Sequence, residues 1–60
     1  PQLKFGNFHV GKIGTQYYVY NEKFHRNLKA KDFDKAKAEA IDEIKKHCIS
    51  NGLPFPNFNS

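Results

Sequence analysis

DFDKAKAEAIDEIKKHC, residues 32–48, is the stretch whose reading decides the fold. Ala36, Ala40, Ile41, Ile44 and Cys48 recur at helical spacing and form one apolar stripe, while Lys35, Lys37, Glu39, Asp42, Glu43, Lys45 and Lys46 cover the rest. The pattern predicts an amphipathic helix over residues 33–49. Asp32 or Asp34 suits the N-cap, since either carboxylate can accept from the unpaired amides of the first turn and faces the positive end of the dipole. Lys45, Lys46 and His47 gather toward the opposite end, and Asn51 and Gly52 offer a left-handed stop. Ala36 and Ala40 are small enough to let the helix lie close to a neighbouring layer. No second long helix is present in the pattern, so the stripe must bury against something made by residues 1–31.

Those residues read as strands. LKFGNFHV (3–10) predicts a first strand over 4–10, with Phe8 and Val10 on one face and Asn7 and His9 on the other. GKIGT (11–15) reads as a turn, because Gly11 and Gly14 can take positive φ. QYYVYNEKF (16–24) is aromatic and β-branched and predicts a second strand over 16–21, with Asn21, Glu22 and Lys23 as the reversal. FHRNLKAK (24–31) alternates again: Phe24, Leu28 and Ala30 on one face, His25, Asn27, Lys29 and Lys31 on the other. The parity of the second strand depends on the loop before it. An even loop turns Tyr17 and Val19 toward the helix and leaves Tyr18 and Tyr20 outside; an odd loop does the reverse. The even loop is preferred, since it buries Val19 and leaves outside the tyrosines, which tolerate water. LPFPNFNS (53–60) cannot be helical with Pro54 and Pro56 and reads as an extended tail whose Leu53, Phe55 and Phe58 cover an edge of the core, so that deleting it destabilises the fold. The expected architecture is α+β, a three-stranded antiparallel sheet packed on one C-terminal amphipathic helix in the order β-β-β-α.

Sixty residues suffice for a single small domain, here 1–60. One cysteine excludes an intramolecular disulfide and points to an intracellular home: the nucleus in a eukaryote, the cytoplasm or nucleoid in a bacterium or phage. No apolar run approaches the roughly 18 residues needed to span a bilayer, and no signal-peptide pattern opens the chain. A start at Pro1 without methionine suggests a piece of something longer. The net charge is +4. Residues 1–31 hold six cations against Glu22 alone, a net +5, whereas residues 32–60 hold four lysines against five carboxylates, a net −1. A basic sheet beside a nearly neutral helix is the footprint expected of a polyanion binder, nucleic acid first.

Catalysis is not expected. Cys48, the one thiol, lies on the stripe to be buried and reads as a small apolar filler. His47 and Cys48 are neighbours on a helix and point about 100° apart, a poor geometry for one ion. His9 and His25 could approach across the sheet, but without a carboxylate they make a weak metal site. Glu39, Asp42 and Glu43 read as a solvated helix face, with Asp42 and Lys46 paired at i, i+4. No metal or cofactor is implied, and Gly11 with Gly14 is too little for a phosphate-binding loop.

Phe33-Asp34-Lys35-Ala36 followed by Ala40, then Gly52 and Asn57-Phe58, resemble the Apetala-two / ethylene-response-factor DNA-binding domain. In that family an aromatic residue after the third strand leads into an alanine-rich helix, and an asparagine-phenylalanine segment closes the domain. The architecture is shared with integrase arm-binding domains. The resemblance implies a sequence-specific DNA-binding domain of a larger transcription factor or recombinase, laying the outer sheet face into the major groove of double-stranded DNA. It implies Asn27 on adenine and Lys29 on guanine. Tyr18, Tyr20 and His25 would then meet sugar, phosphate or a thymine methyl, and Lys12, Lys23 and Lys31 the phosphates. The chain departs from the plant members in having no tryptophan and a single arginine, Arg26, which falls toward the helix side or the strand edge; the looser phage and apicomplexan relatives are the nearer comparison.

A protein-binding module is the alternative. Short strands, an alanine-rich helix and then LPFP are similar to HicB-family antitoxins, and a phage-encoded inhibitor would belong to the same class. The acidic, glycine-rich strand turn of that family is absent. An apolar patch on the open face would favour this reading, and Tyr17, Tyr18 and Tyr20 keep it in view.

Overall fold

Two-residue turns shape the N-terminal half of the chain. The computed structural model describes residues 3–59. Strands β1 (Leu3–Phe5), β2 (Phe8–Ile13), β3 (Gln16–Asn21) and β4 (Phe24–Asn27) form an antiparallel meander in the order β1-β2-β3-β4, followed by helix α1 (Phe33–Asn51). Gly6 and Gly14 open the first two turns with φ of 60° each, and among the described residues positive φ is confined to glycine. Positive φ at the first central position alone is the pattern of a type II′ hairpin turn. The third turn, Glu22–Lys23, has no glycine; there the Asn21 side-chain oxygen accepts from the Lys23 N–H at 2.9 Å.

The sheet therefore has four strands rather than three. Residues 4–10 do not form one strand, because the left-handed backbone at Gly6 reverses the chain and sets Phe8 opposite Phe5. Gly11 is not a turn residue: it lies within β2, opposite Tyr18, and the turn is carried by Gly14 and Thr15. Nor does β4 run to Lys31. The Leu28 N–H still reaches the Tyr17 carbonyl at 2.9 Å, but the next two N–H groups, of Lys29 and Ala30, donate to the Glu39 carboxylate on α1 at 2.9–3.0 Å. That carboxylate pulls the chain out of the ladder toward the helix.

Even loops carry the alternation of side chains intact from strand to strand. Phe5, Phe8, Val10, Tyr17, Val19 and Phe24, with Leu28 beyond β4, are buried against the helix. Tyr18 and Tyr20 take the other parity and face outward, as the preferred loop required. On α1, every fourth residue is buried: Ala36, Ala40, Ile44 and Cys48. Ile41 sits half-buried at the margin of that stripe. The alanines leave room for the helix backbone to approach the central strands, β2 and β3.

Asp32 is the N-cap, accepting from the Lys35 N–H at 3.0 Å. At the other end α1 runs two residues further than the pattern suggested, to Asn51, and Gly52 then turns left-handed at φ 64°. The Leu53 N–H reaches the Cys48 carbonyl at 2.9 Å and the Gly52 N–H the Ile49 carbonyl at 3.4 Å, which satisfies carbonyls the helix leaves open. Lys45, Lys46 and His47 consequently do not occupy the last turn. Lys46 instead pairs with Asp42 at 3.1 Å, and the hydrogen bond and charge of Asp42 hold its pKa above the ordinary lysine value. His47 rests against the Phe24 ring with centroids 4.3 Å apart.

The tail is extended, and Phe58 does most of its packing, edge-on to Phe5 at 5.4 Å between centroids. Leu53 and Phe55 remain about half exposed, at 48% and 49%, and so cover less of the core than expected. Pro56 closes over Gly6. Ser60, the end of the expected tail, lies outside the described residues. No helix among the described residues is long and apolar enough to cross a membrane.

Candidate nucleic-acid interface

The face of the sheet turned away from α1 is built by two rows of residues in register. Lys4, His9, Tyr20 and His25 lie directly across from one another on β1, β2, β3 and β4. Gly11, Tyr18 and Asn27 form the next row. The rings are contiguous: His9 stacks on Tyr20 at 5.1 Å, Tyr18 follows at 5.4 Å from Tyr20, and His25 lies 5.6 Å from Tyr18. Tyr18 does not stand straight off the sheet. A Cβ built on Gly11 would lie 2.8 Å from both Cζ and Oη of Tyr18, so the phenol crosses β2 over the glycine. This close approach, rather than a turn, is what Gly11 permits.

Of the residues expected to contact DNA, Tyr18, Tyr20, His25 and Asn27 share this face. The lysines do not. Lys12 has the parity of the helix side and holds its ammonium 5.1 Å from the centre of the Tyr17 ring. Lys23 sits in the β3–β4 turn, while Lys29 and Lys31 are exposed in the connection from β4 to α1. Three of them thus form a rim at the two ends of β4. Arg26, as the register suggested, turns to the helix side, over the Phe24 ring at 5.0 Å and 3.9 Å from Glu43. Lys45 similarly lies 5.6 Å from the Phe58 ring. Aliphatic stems with charged tips are well suited to shield the edges of a small aromatic core. Part of the basic charge read as belonging to the open sheet therefore serves the opposite face.

Lys4 and His9 were not singled out as contact residues, and both belong to the outer row. Lys4 is brought there by the Gly6-Asn7 dipeptide, a two-residue hairpin signal that folds β1 back beside β2, while His9 faces outward by its alternation with Phe8 and Val10. Gln16 is committed elsewhere: its amide donates to the carbonyls of Tyr17 at 2.8 Å and Leu28 at 2.7 Å, holding the end of β4 to β3. Ile13, at the far end of the outer face opposite Gln16, is 72% exposed.

Cys48 is buried, and burial pushes its thiol pKa up, so the reactive thiolate is disfavoured. No group of three or more His, Cys, Asp or Glu is gathered as a metal site among the described residues. A depression of about 230 Å³ beside β4 and α1 is lined by Arg26, Glu43, Lys46 and His47, but its cations already face carboxylates.

The fold defines a small α+β class, a four-stranded antiparallel meander covered on one face by a single C-terminal helix and open on the other. No family model matches the chain, and no curated protein or solved structure matches it.

Proposed function

We propose that this protein is a DNA-binding domain that engages its ligand through the outer face of the sheet. The observation that supports the reading best is the contiguous row of rings ending in Lys4, with Asn27 beside it and Lys23, Lys29 and Lys31 at the ends of β4. Rings and an amide can meet sugars and bases, and the lysines suit phosphates. Asp34, Glu39, Asp42 and Glu43 belong to the helix, whereas Glu22 in the β3–β4 turn lies beside His9 and Tyr20, so a polyanion approaching the rings meets Lys4 and the rim lysines against one carboxylate. Within this reading Asn27 can pair with the hydrogen-bonding edge of an adenine. Lys29 would act on phosphates from the rim rather than on guanine.

One observation favours the second reading, a protein-binding module: Ile13 lies exposed on the same face as the tyrosines. Fluorescence anisotropy with random-sequence DNA at several salt concentrations separates the two. The DNA reading expects affinity to fall as salt rises, and Lys29→Ala to weaken binding and flatten the slope of log K against log salt by about 0.7–0.9. An affinity and slope identical to wild type in that variant would count against the role given to Lys29, and no binding at low salt would reject the DNA reading.

A further inference from the structure

The geometry of the four outer rings bears on which form of DNA the face takes. Neighbouring rings are similarly oriented, with interplanar angles of 25° for His9 and Tyr20, 32° for Tyr18 and Tyr20, and 30° for Tyr18 and His25. Their centroids are 5.1 to 5.6 Å apart, too close for rings lying side by side in one plane, so neighbouring rings partly overlap in a shingled strip rather than standing as isolated prongs. Tyr18, the ring at the centre, lies across β2 with its hydroxyl end over Gly11. A side chain laid down in this way does not reach the floor of a major groove, which is about 8.5 Å deep. It does offer an aromatic surface on which a base can stack. Within a duplex the base faces are already occupied by neighbouring pairs, and only unpaired bases present them.

The cations fit the same ligand. Lys4 ends the row on β1, Lys23 sits at the turn, and Lys29 and Lys31 follow β4, so cations flank the rings with one carboxylate, Glu22, among them. Lysines flanking a ring surface suit a strand whose phosphates run along the rim with the bases turned inward. We propose that His9, Tyr18, Tyr20 and His25 form a stacking platform for about two or three unpaired bases of single-stranded DNA, a specification that rests on the DNA-binding reading above. Gly11 is the positioning residue, because any side chain there would displace the Tyr18 ring.

The test uses the 60-residue chain with a fluorescein-labelled oligodeoxythymidylate of about ten nucleotides and a mixed-sequence duplex of equal length. Anisotropy at one low salt concentration is expected to show the single strand bound roughly tenfold or more tightly than the duplex, and Tyr18→Leu to lower that affinity roughly five- to hundredfold. Gly11→Ala, which keeps every ring, should weaken binding in the same direction. The wild-type protein supplies a readout that no misfolded variant can confuse: on adding the oligonucleotide, ring protons of Tyr18, Tyr20, His9 and His25 should move upfield in NMR spectra. Duplex bound as tightly as single strand overturns the platform and leaves the DNA reading standing. Single strand bound without ring-proton shifts also overturns it. Binding of neither nucleic acid overturns both.

Discussion

Replacing Glu39 by alanine probes the joint that holds the sheet's last strand to the helix. The Glu39 carboxylate accepts from the Lys29 N–H with both oxygens, at 3.0 and 2.9 Å, and from the Ala30 N–H at 2.9 Å. A hydrogen bond to a charged group contributes about 1.5–3 kcal/mol net. Lys29 is exposed and water can replace its partner, whereas Ala30 is half-buried and its N–H is less readily rehydrated. We therefore count roughly one such bond as lost. Alanine is the better helix former, which offsets a few tenths of a kcal/mol. The net loss is about 1–2.5 kcal/mol, or roughly 8–20 °C in Tm for a domain of this size. Glu39→Gln keeps one acceptor oxygen and should fall between wild type and alanine. Asp42→Ala removes only an exposed pair on the same helix and should leave Tm close to wild type. Thermal unfolding followed by circular dichroism gives all three values. A Tm for Glu39→Ala equal to that of Asp42→Ala would refute the reasoning and return Glu39 to the solvated helix face.

Gly6 and Gly14 share φ of 60°, but a Cβ on Gly6 would lie 2.8 Å from the Pro56 Cβ, whereas one on Gly14 meets nothing within 4 Å. Gly6→Ala should therefore cost more than Gly14→Ala, for which about 1 kcal/mol of backbone strain is expected; equal losses in urea unfolding would show that the tail does not press on the first turn. Phe58→Ala, which removes the edge contact with Phe5, should destabilise by about 1–2 kcal/mol, below the usual cost for a fully buried phenylalanine, and a chain ending at Gly52 should lose at least as much. Cys48 has its pKa raised above the ordinary value of 9.0 by burial. The unfolded chain then releases its proton first on raising pH, so the contribution is complete below the unfolded value and is lost as pH rises through the folded one. Urea midpoints should fall less steeply between about pH 8 and 10 in Cys48→Ala than in wild type; parallel curves would contradict this.

The helix was legible because its stripe, N-cap and left-handed stop are all local signals that agree with one another. Tyr17 and Val19 could be assigned to the core from burial preference alone once the loop was taken as even. What the pattern missed came from contacts distant in sequence. Glu39, ten residues from Lys29, ends β4 early, and nothing in FHRNLKAK signals that interruption. Gly6-Asn7 was a local turn signal overshadowed by the alternation around it, so β1 was merged into β2 and Lys4 was left out of the outer row, whereas the alternation with Phe8 and Val10 did put His9 on the outer face. Gly11 looked like a turn residue because a glycine that makes room for a ring on the next strand has the same letter as one that reverses the chain. The basic charge of residues 1–31 did not all fall on one face, since Lys12 and Arg26 cover the edges of Tyr17 and Phe24.

The most direct test of the account is an amide-shift map of the protein titrated with DNA at two salt concentrations. If the outer face is the interface, shifts concentrate on His9, Tyr18, Tyr20, His25 and Asn27 and on the rim lysines, and shrink as salt rises. Shifts confined to α1 and the tail, or none at low salt, would contradict it.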